Sequence, residues 1–353
     1  MVKQLSSIIK FDVSKSLLKR ISINFFIYEK LKKKRCPTCK SLQTIKWGTQ
    51  QNKQRFKCKD CGQLFTANNK SVSDSNKEIW FKNWIIGKDT FDKISLESGY
   101  SKSTLQRYFY KMLSKAPVLE FSSTDEIYLV LDGTYFPNDI CLVVYRNFHL
   151  KLTQLYRMTD GEHFEEIAED LQNLLNLEIK IKSITSDGDK SSIKAIKKVC
   201  PKVPFQRCLV HISRMCRIWL TANPKHRSGF ELKQIAVKIH HINSEYKRQL
   251  WLMELIQWEE TYRDYINEKS YNFETGRYWY THKMVRRSFM VIKKALPNMF
   301  LYLKDVKIPN STNSLESFFG HLKGNLNIHR GLSLKNRKNF LKWYLYYKNQ
   351  INK

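Results

Sequence analysis

Glu126-Ile127-Tyr128-Leu129-Val130-Leu131-Asp132-Gly133 is the stretch on which the fold turns. An apolar run that closes on a carboxylate and a glycine reads as a buried strand meeting a turn. Two more runs follow at once, Ile140 to Tyr145 and Leu150 to Tyr156, and together they predict a three-stranded antiparallel meander. Downstream, Phe164 to Leu177 has helical spacing, Ile179 to Thr185 reads as another buried strand, and Ser191 to Val199 as a helix. A meander followed by helix, strand and helix is an α/β pattern with a mixed sheet. From about Cys208 to Leu296 the strand signals vanish into helical, aromatic-rich sequence (Trp219, Trp251, Trp258, Tyr262, Tyr278, Trp279), which predicts an all-helical insertion. The chain then offers a helix over about Asn310 to Lys323 and a basic aromatic helix from Leu334 to Ile351.

Length and charge set the frame around this core. A chain of 353 residues accommodates two or three domains. Its 62 Lys and Arg against 32 Asp and Glu give a formal charge of +30, which points to a polyanionic partner, nucleic acid first. The charge is split: residues 1–120 carry 25 basic and 9 acidic side chains, and residues 281–353 carry 15 and 2, while the middle is balanced at 22 and 21. The two ends are therefore the expected polyanion contacts. Lys and Asp interrupt the apolar stretches between Met1 and Lys34, and no run nears the ~20 residues of a membrane span, so a soluble intracellular protein is expected. In that setting the eight cysteines read as thiols or metal ligands rather than disulfides.

Cys36-Pro37-Thr38-Cys39 and Cys58-Lys59-Asp60-Cys61-Gly62 supply two Cys-x-x-Cys pairs. Each pair can sit on a tight knuckle that aims two thiolates at one point, so Cys36, Cys39, Cys58 and Cys61 predict a closed tetrahedral site for one structural Zn²⁺. Four reduced cysteines in a small core are the plainer alternative. Lys46, Trp47, Lys53, Arg55 and Phe56 between the pairs fit the strands of a zinc ribbon, and Lys32 to Arg35 just before it favour nucleic-acid contact over protein docking.

A helix-turn-helix is the next expectation. Thr90 can cap a helix through Phe91, Ile94 and Leu96 that Gly99 ends, and Ser101 can cap a second through Leu105, Arg107, Tyr108 and Tyr110. As a reader helix, the second would turn Lys102, Ser103, Gln106 and Arg107 to a DNA groove.

Three carboxylates stand in positions that suit metal chemistry. Asp132 closes its apolar strand, where burial is expensive without a cation or strong donors; an Asp that merely begins a turn is equally common. Asp187 repeats the arrangement in Ile184-Thr185-Ser186-Asp187-Gly188, and neighbouring strands would set the two side by side as hard oxygen ligands for Mg²⁺ or Mn²⁺. Asp189 is a close rival that reads better as the cap of the following helix. Glu316 falls about one turn into a helix that Ser311 or Thr312 can cap, beside the anchoring pair Phe318 and Phe319, and it is the lone acidic residue after Asp305. A Glu near a helix start is also simply favoured by the helix dipole.

Leu131-Asp132-Gly133, Ser186-Asp187-Gly188, Arg207-Cys208-Leu209-Val210-His211 and Thr312-Asn313-Ser314-Leu315-Glu316-Ser317 together resemble, in order, the signatures of bacterial Mutator-type insertion-sequence transposases. The resemblance covers about residues 125–345. It implies a ribonuclease-H-like fold with Asp132, Asp187 and Glu316 as an acidic triad holding two Mg²⁺ or Mn²⁺ ions for DNA cleavage and strand transfer. It also implies double-stranded DNA partners (element ends and target), a homo-oligomer on DNA, no membrane, and a cytoplasmic, nucleoid-associated bacterial location. Cys208 and His211 match a Cys-x-x-His signature whose expected role is core packing with a hydrogen bond to the catalytic sheet, with zinc shared by Cys200 or Cys216 as the lesser option. Arg286, Arg287, Lys323, His329 and Arg330 could bind phosphates beside the last motif, and the Trp residues of the insertion are read chiefly as helix core and secondarily as stacking platforms for unpaired bases. The expected layout is a helical extension over 1–31, a zinc ribbon over 32–70, a helix-turn-helix over 71–118, and a catalytic domain over 119–353 with its insertion at about 222–298. A non-catalytic DNA-binding regulator and a structure-specific nuclease are the alternatives.

Overall fold

The structure, a computed structural model, describes residues 34–50, 53–66, 74–119 and 126–352. The extension expected over 1–31 lies outside the described residues, as do Lys32 and Lys33. Two compact units meet between Asn76 and Lys77.

In the first unit β1 (Thr44–Gln50), β2 (Lys53–Cys58) and β3 (Leu64–Thr66) form an antiparallel sheet in that order. Its apolar content is small: Phe56 and Phe65 stack at 5.9 Å, and Lys57 lies 4.6 Å over the half-exposed Trp47 ring. Such a sheet needs a cross-link more than a core.

The second unit begins inside α1 (Asp74–Ile86), at Lys77, and continues with α2 (Phe91–Ser98) and α3 (Lys102–Leu113). The caps are those the sequence offered. Thr90 accepts the Lys93 N–H, Gly99 turns left-handed at φ +73°, and Ser101 accepts the Thr104 N–H. Phe81, Trp84, Ile94, Phe109 and Leu113 share one buried cluster with Val130, Leu142 and Val144 of the sheet and with Leu315, Phe340 and Tyr344 near the C-terminus.

The sheet is built from β4 (Glu126–Phe136), β5 (Ile140–Asn147), β6 (Leu152–Thr159), β7 (Lys180–Ser186) and β8 (Phe205–Arg207) in the order β6-β5-β4-β7-β8. The first three strands form the expected antiparallel meander, and β7 and β8 run parallel to β4, giving a mixed sheet. β8, three residues long, carries no periodicity and was not legible in the sequence. Alternation along β4 serves two layers. Ile127, Leu129 and Leu131 face α4 (Phe164–Asn176) and α5 (Lys190–Val199), whereas Val130 faces the cluster that includes α1 to α3.

After α6 (Leu209–Leu220) comes the insertion: α7 (Arg227–Lys238), α8 (Glu245–Asn267), β9 (Lys269–Asn272), β10 (Arg277–Tyr280) and α9 (Lys283–Ala295). The all-helical expectation is thus corrected by an antiparallel hairpin. Tyr271, Tyr278 and Tyr280 suit strands, and Gly276, at φ +65°, supplies the left-handed turn between them. Trp251 and Trp258 are buried, donating their Nε1–H to the carbonyls of Ile235 and Ser228 at 2.8 and 2.9 Å, so they are core rather than stacking platforms. The chain closes with α10 (Asn313–Ile328) and α11 (Leu334–Asn352). Among the described residues no helix is long and apolar enough to cross a membrane.

Candidate functional site

The four cysteines of the first unit converge. Cys36 and Cys58 are buried, Cys39 and Cys61 exposed, and one ligand atom from each lies within 4.8 Å of all the others. Two knuckles produce this. Lys40 N–H donates to the Cys36 carbonyl and Gly62 N–H to the Cys58 carbonyl, both at 3.0 Å, with Lys40 and Gly62 at positive φ to close the turns. Four sulfurs at this spacing fit a tetrahedral metal ion.

The second cluster lies at the ends of the central strands. Asp132 does not end its strand as expected: β4 runs on to Phe136 beside β5, while its parallel pairing with β7 stops at Leu131 and Ser186. Asp132 therefore sits on β4 where β7 leaves it, and Asp187 is the first residue past β7. Burial, and after it the nearby Asp187 charge, push the Asp132 carboxyl up to about 7. Its Oδ1 accepts the Gly133 N–H at 3.0 Å. Asp189 is the cap of α5, accepting from Ser191 and Ser192 N–H, which leaves Asp187 as the strand-end ligand candidate.

Glu316 reaches the cluster from α10, whose entry is fixed by Cys208. Cys208 N–H donates to the Ser186 carbonyl at 2.8 Å, and its Sγ accepts the Thr312 N–H at 3.3 Å and lies 3.5 Å from the Thr312 hydroxyl. The end of β7 and the cap of α10 are thereby joined through one buried cysteine, by its backbone N–H on one side and its sulfur on the other. Thr185 Oγ1 donates to the Pro309 carbonyl at 2.8 Å and Leu209 N–H to the Asn310 carbonyl at 3.0 Å, completing the seam. His211 Nδ1 is 3.4 Å from Cys208 Sγ and its Nε2 3.6 Å from Glu316 Oε1. Burial opposes charge on His211, but the Cys208 hydrogen bond and the negative field of Cys208, Asp132 and Asp187 outweigh it and push the imidazole up to about 9. Cys216 points instead to the Ser288 carbonyl.

Three members of the site went unread in the sequence. Glu162, in the turn after β6, is pushed up to about 7 by burial and then by Asp187 and Asp132. Arg214, one turn beyond His211, grips Glu316 through both oxygens at 2.9 and 2.7 Å. Arg207, buried, donates from Nη2 to the Asp187 carbonyl at 3.1 Å, and Gly188, at φ +84°, has no side chain to block it: a Cβ there would fall 1.9 Å from the guanidinium. The available signals were the Asp160-Gly161-Glu162 turn and the helical spacing from Cys208 through His211 to Arg214.

The three expected carboxylates share one locality, close enough to feel one another's charge. Among the described residues, however, they do not converge as the sulfurs do, since Glu316 is held by Arg214. Neighbouring carboxylates, one of them the buried Asp132, are a donor set of hard oxygens that suits a divalent cation.

Of the expected DNA contacts, Lys102, Ser103, Gln106 and Arg107 are exposed on α3, Lys102 pairing with Asp92. Arg330 is exposed and Lys323 half-buried on the C-terminal side, while Arg286 and Arg287 stack over Tyr280 and Trp219 at 3.8 and 4.1 Å. His329 is corrected from a phosphate ligand to a core residue: it is buried, lies 2.8 Å from the Trp84 carbonyl and packs on the Trp84 ring, and burial lowers its pKa.

The chain matches no protein-family model, and no curated protein matches it either.

Proposed function

We propose that this protein is a metal-dependent DNA transposase of the Mutator type, with a ribonuclease-H-like core and a zinc ribbon. The observation that carries the reading is the nearness of Asp132 on β4, Asp187 just past β7 and Glu316 in the first turn of α10, around the ends of the central strands. The sheet order, an antiparallel meander with two parallel strands added at its first strand, supports the ribonuclease-H-like assignment.

Asp132, Asp187 and Glu316 would hold two Mg²⁺ or Mn²⁺ ions, which activate the attacking oxygen and stabilise the leaving one in phosphodiester chemistry. The chain's own residues do the rest. Arg207 and Gly188 fix the turn that carries Asp187; Cys208 and Thr312 set the start of α10, and with it Glu316; a protonated His211 and Arg214 present positive charge to a phosphate. Zinc at Cys36, Cys39, Cys58 and Cys61 would hold the ribbon, and exposed α3 offers Lys102 and Arg107 to DNA. The net charge of +30 supports such a partner.

The test is a search of the DNA around the gene for inverted repeats, followed by strand nicking and joining on DNA that bears them, with Mg²⁺ or Mn²⁺. Wild type should cut and join; Asp132→Asn and Asp187→Asn should do neither. Undiminished activity in those variants would sink the catalytic assignment.

A further inference from the structure

Glu162 occupies a place no motif assigns it. Successive side chains on a strand point to opposite faces, so Asp132 faces the α10 side of β4 and the missing side chain of Gly133 the α4 side. The space that Gly133 leaves is filled by the Glu162 carboxylate: a Cβ at Gly133 would lie 2.5 Å from Glu162 Oε1 and 2.6 Å from its Cδ. Glu162 does not cap α4, which has no side-chain cap at its start. Among the described residues no cation pairs with its carboxylate and no donor bonds to it, although Asp132, Asp187 and Asp189 all lie near enough to repel it. A half-buried carboxylate beside three like charges, in a cradle kept open by a glycine, has the field of His211 as a partial offset but no ion-pair partner among the described residues.

We propose that Glu162 is a fourth carboxylate of the Asp132, Asp187 and Glu316 site and a direct oxygen ligand of a divalent cation bound there. This rests on reading the cluster as a metal site. Glu162 would approach from the α4 side of β4 and Glu316 from the α10 side, so that the cation is met from both faces of the sheet edge.

Mn²⁺ titration of the full chain, followed by electron paramagnetic resonance and by thermal melting without metal, tests this. Glu162→Gln keeps the shape and removes the charge. It should weaken Mn²⁺ binding by about tenfold or more while leaving the metal-free Tm equal or higher, because a like charge has gone. Glu165→Gln, an exposed control on α4, should bind Mn²⁺ as wild type does. Gly133→Ala, whose Cβ evicts the carboxylate, should copy Glu162→Gln. Wild-type Mn²⁺ affinity in Glu162→Gln overturns the proposal and leaves the metal site standing. A fall in its metal-free Tm makes Glu162 a structural residue and also overturns it. If wild type takes up no more Mn²⁺ than Asp132→Asn, the metal reading of the whole cluster falls, and this inference with it.

Discussion

Arg214 and Glu316 form a two-pronged ion pair across 102 residues of sequence, Nη1 to Oε1 at 2.9 Å and Nη2 to Oε2 at 2.7 Å. Both carboxylate oxygens of Glu316 are thus engaged, and a cation at the proposed site would compete with a guanidinium for them. On the proposed reading DNA would offer Arg214 another anion, so that binding a phosphate and freeing Glu316 would become one event.

Arg214→Gln separates the two. Partly exposed ion pairs are worth about 0.2–1 kcal/mol, so without DNA the variant should bind Mn²⁺ more tightly than wild type, by up to about five-fold. With DNA it should cleave less. Calorimetric Mn²⁺ titration with and without DNA reads the first effect, and unchanged affinity in both states would refute the clasp.

The acidic cluster predicts a pH dependence with a definite sign. Asp132 and Glu162 are both held at about 7 by burial and neighbouring carboxylates, whereas unfolded carboxyls titrate near about 4. Between these values the folded chain binds more protons than the unfolded one, so stability falls as pH rises from about 4 to 7. Melting of the metal-free protein across that window should show a shallower fall in Asp132→Asn than in wild type.

Chelation should act on one unit alone. Removing metal from the quartet with a strong chelator, or changing Cys58 to Ser, should open the sheet over 44–66 to proteolysis while the unit from Lys77 onward keeps its protection. One zinc per chain by elemental analysis is the companion expectation. Equal loss of protection in both units would contradict it.

Phe340 is fully buried on α11 against Trp84 and His329, so Phe340→Ala should cost about 3–5 kcal/mol. Urea unfolding measures the cost. Because α1 to α3 share that core, site-specific DNA binding should weaken with it.

On α3, Lys102→Ala and Arg107→Ala should weaken DNA binding, and each should reduce the salt slope of log K by about one if it meets a phosphate. A salt titration by fluorescence anisotropy separates phosphate contact from base reading. Slopes unchanged in both variants would move the DNA surface elsewhere.

The sequence by itself determined whatever local chemistry forces. Cys-x-x-Cys knuckles aim their thiolates whatever surrounds them, Thr90, Gly99 and Ser101 punctuate helices through their own backbone groups, and apolar periodicity fixed the meander and its crossover. It also put Asp132 and Asp187 at the close of two apolar runs, but ended β4 four residues early and left open whether the two strands are neighbours, because apolar runs do not name their partner strands. The tertiary structure decided what depends on distant partners. Glu316 belongs to the site because Cys208 and Thr312, 104 residues apart, bond across it. Glu162 belongs because Gly133 leaves room, and Arg214 because a helix turn carries it back to Glu316. His329 left the basic surface for the core because Trp84 covers it. Nearest-neighbour patterns record such side chains only as ordinary polar residues, since the field that gives each its role comes from groups far away in the chain.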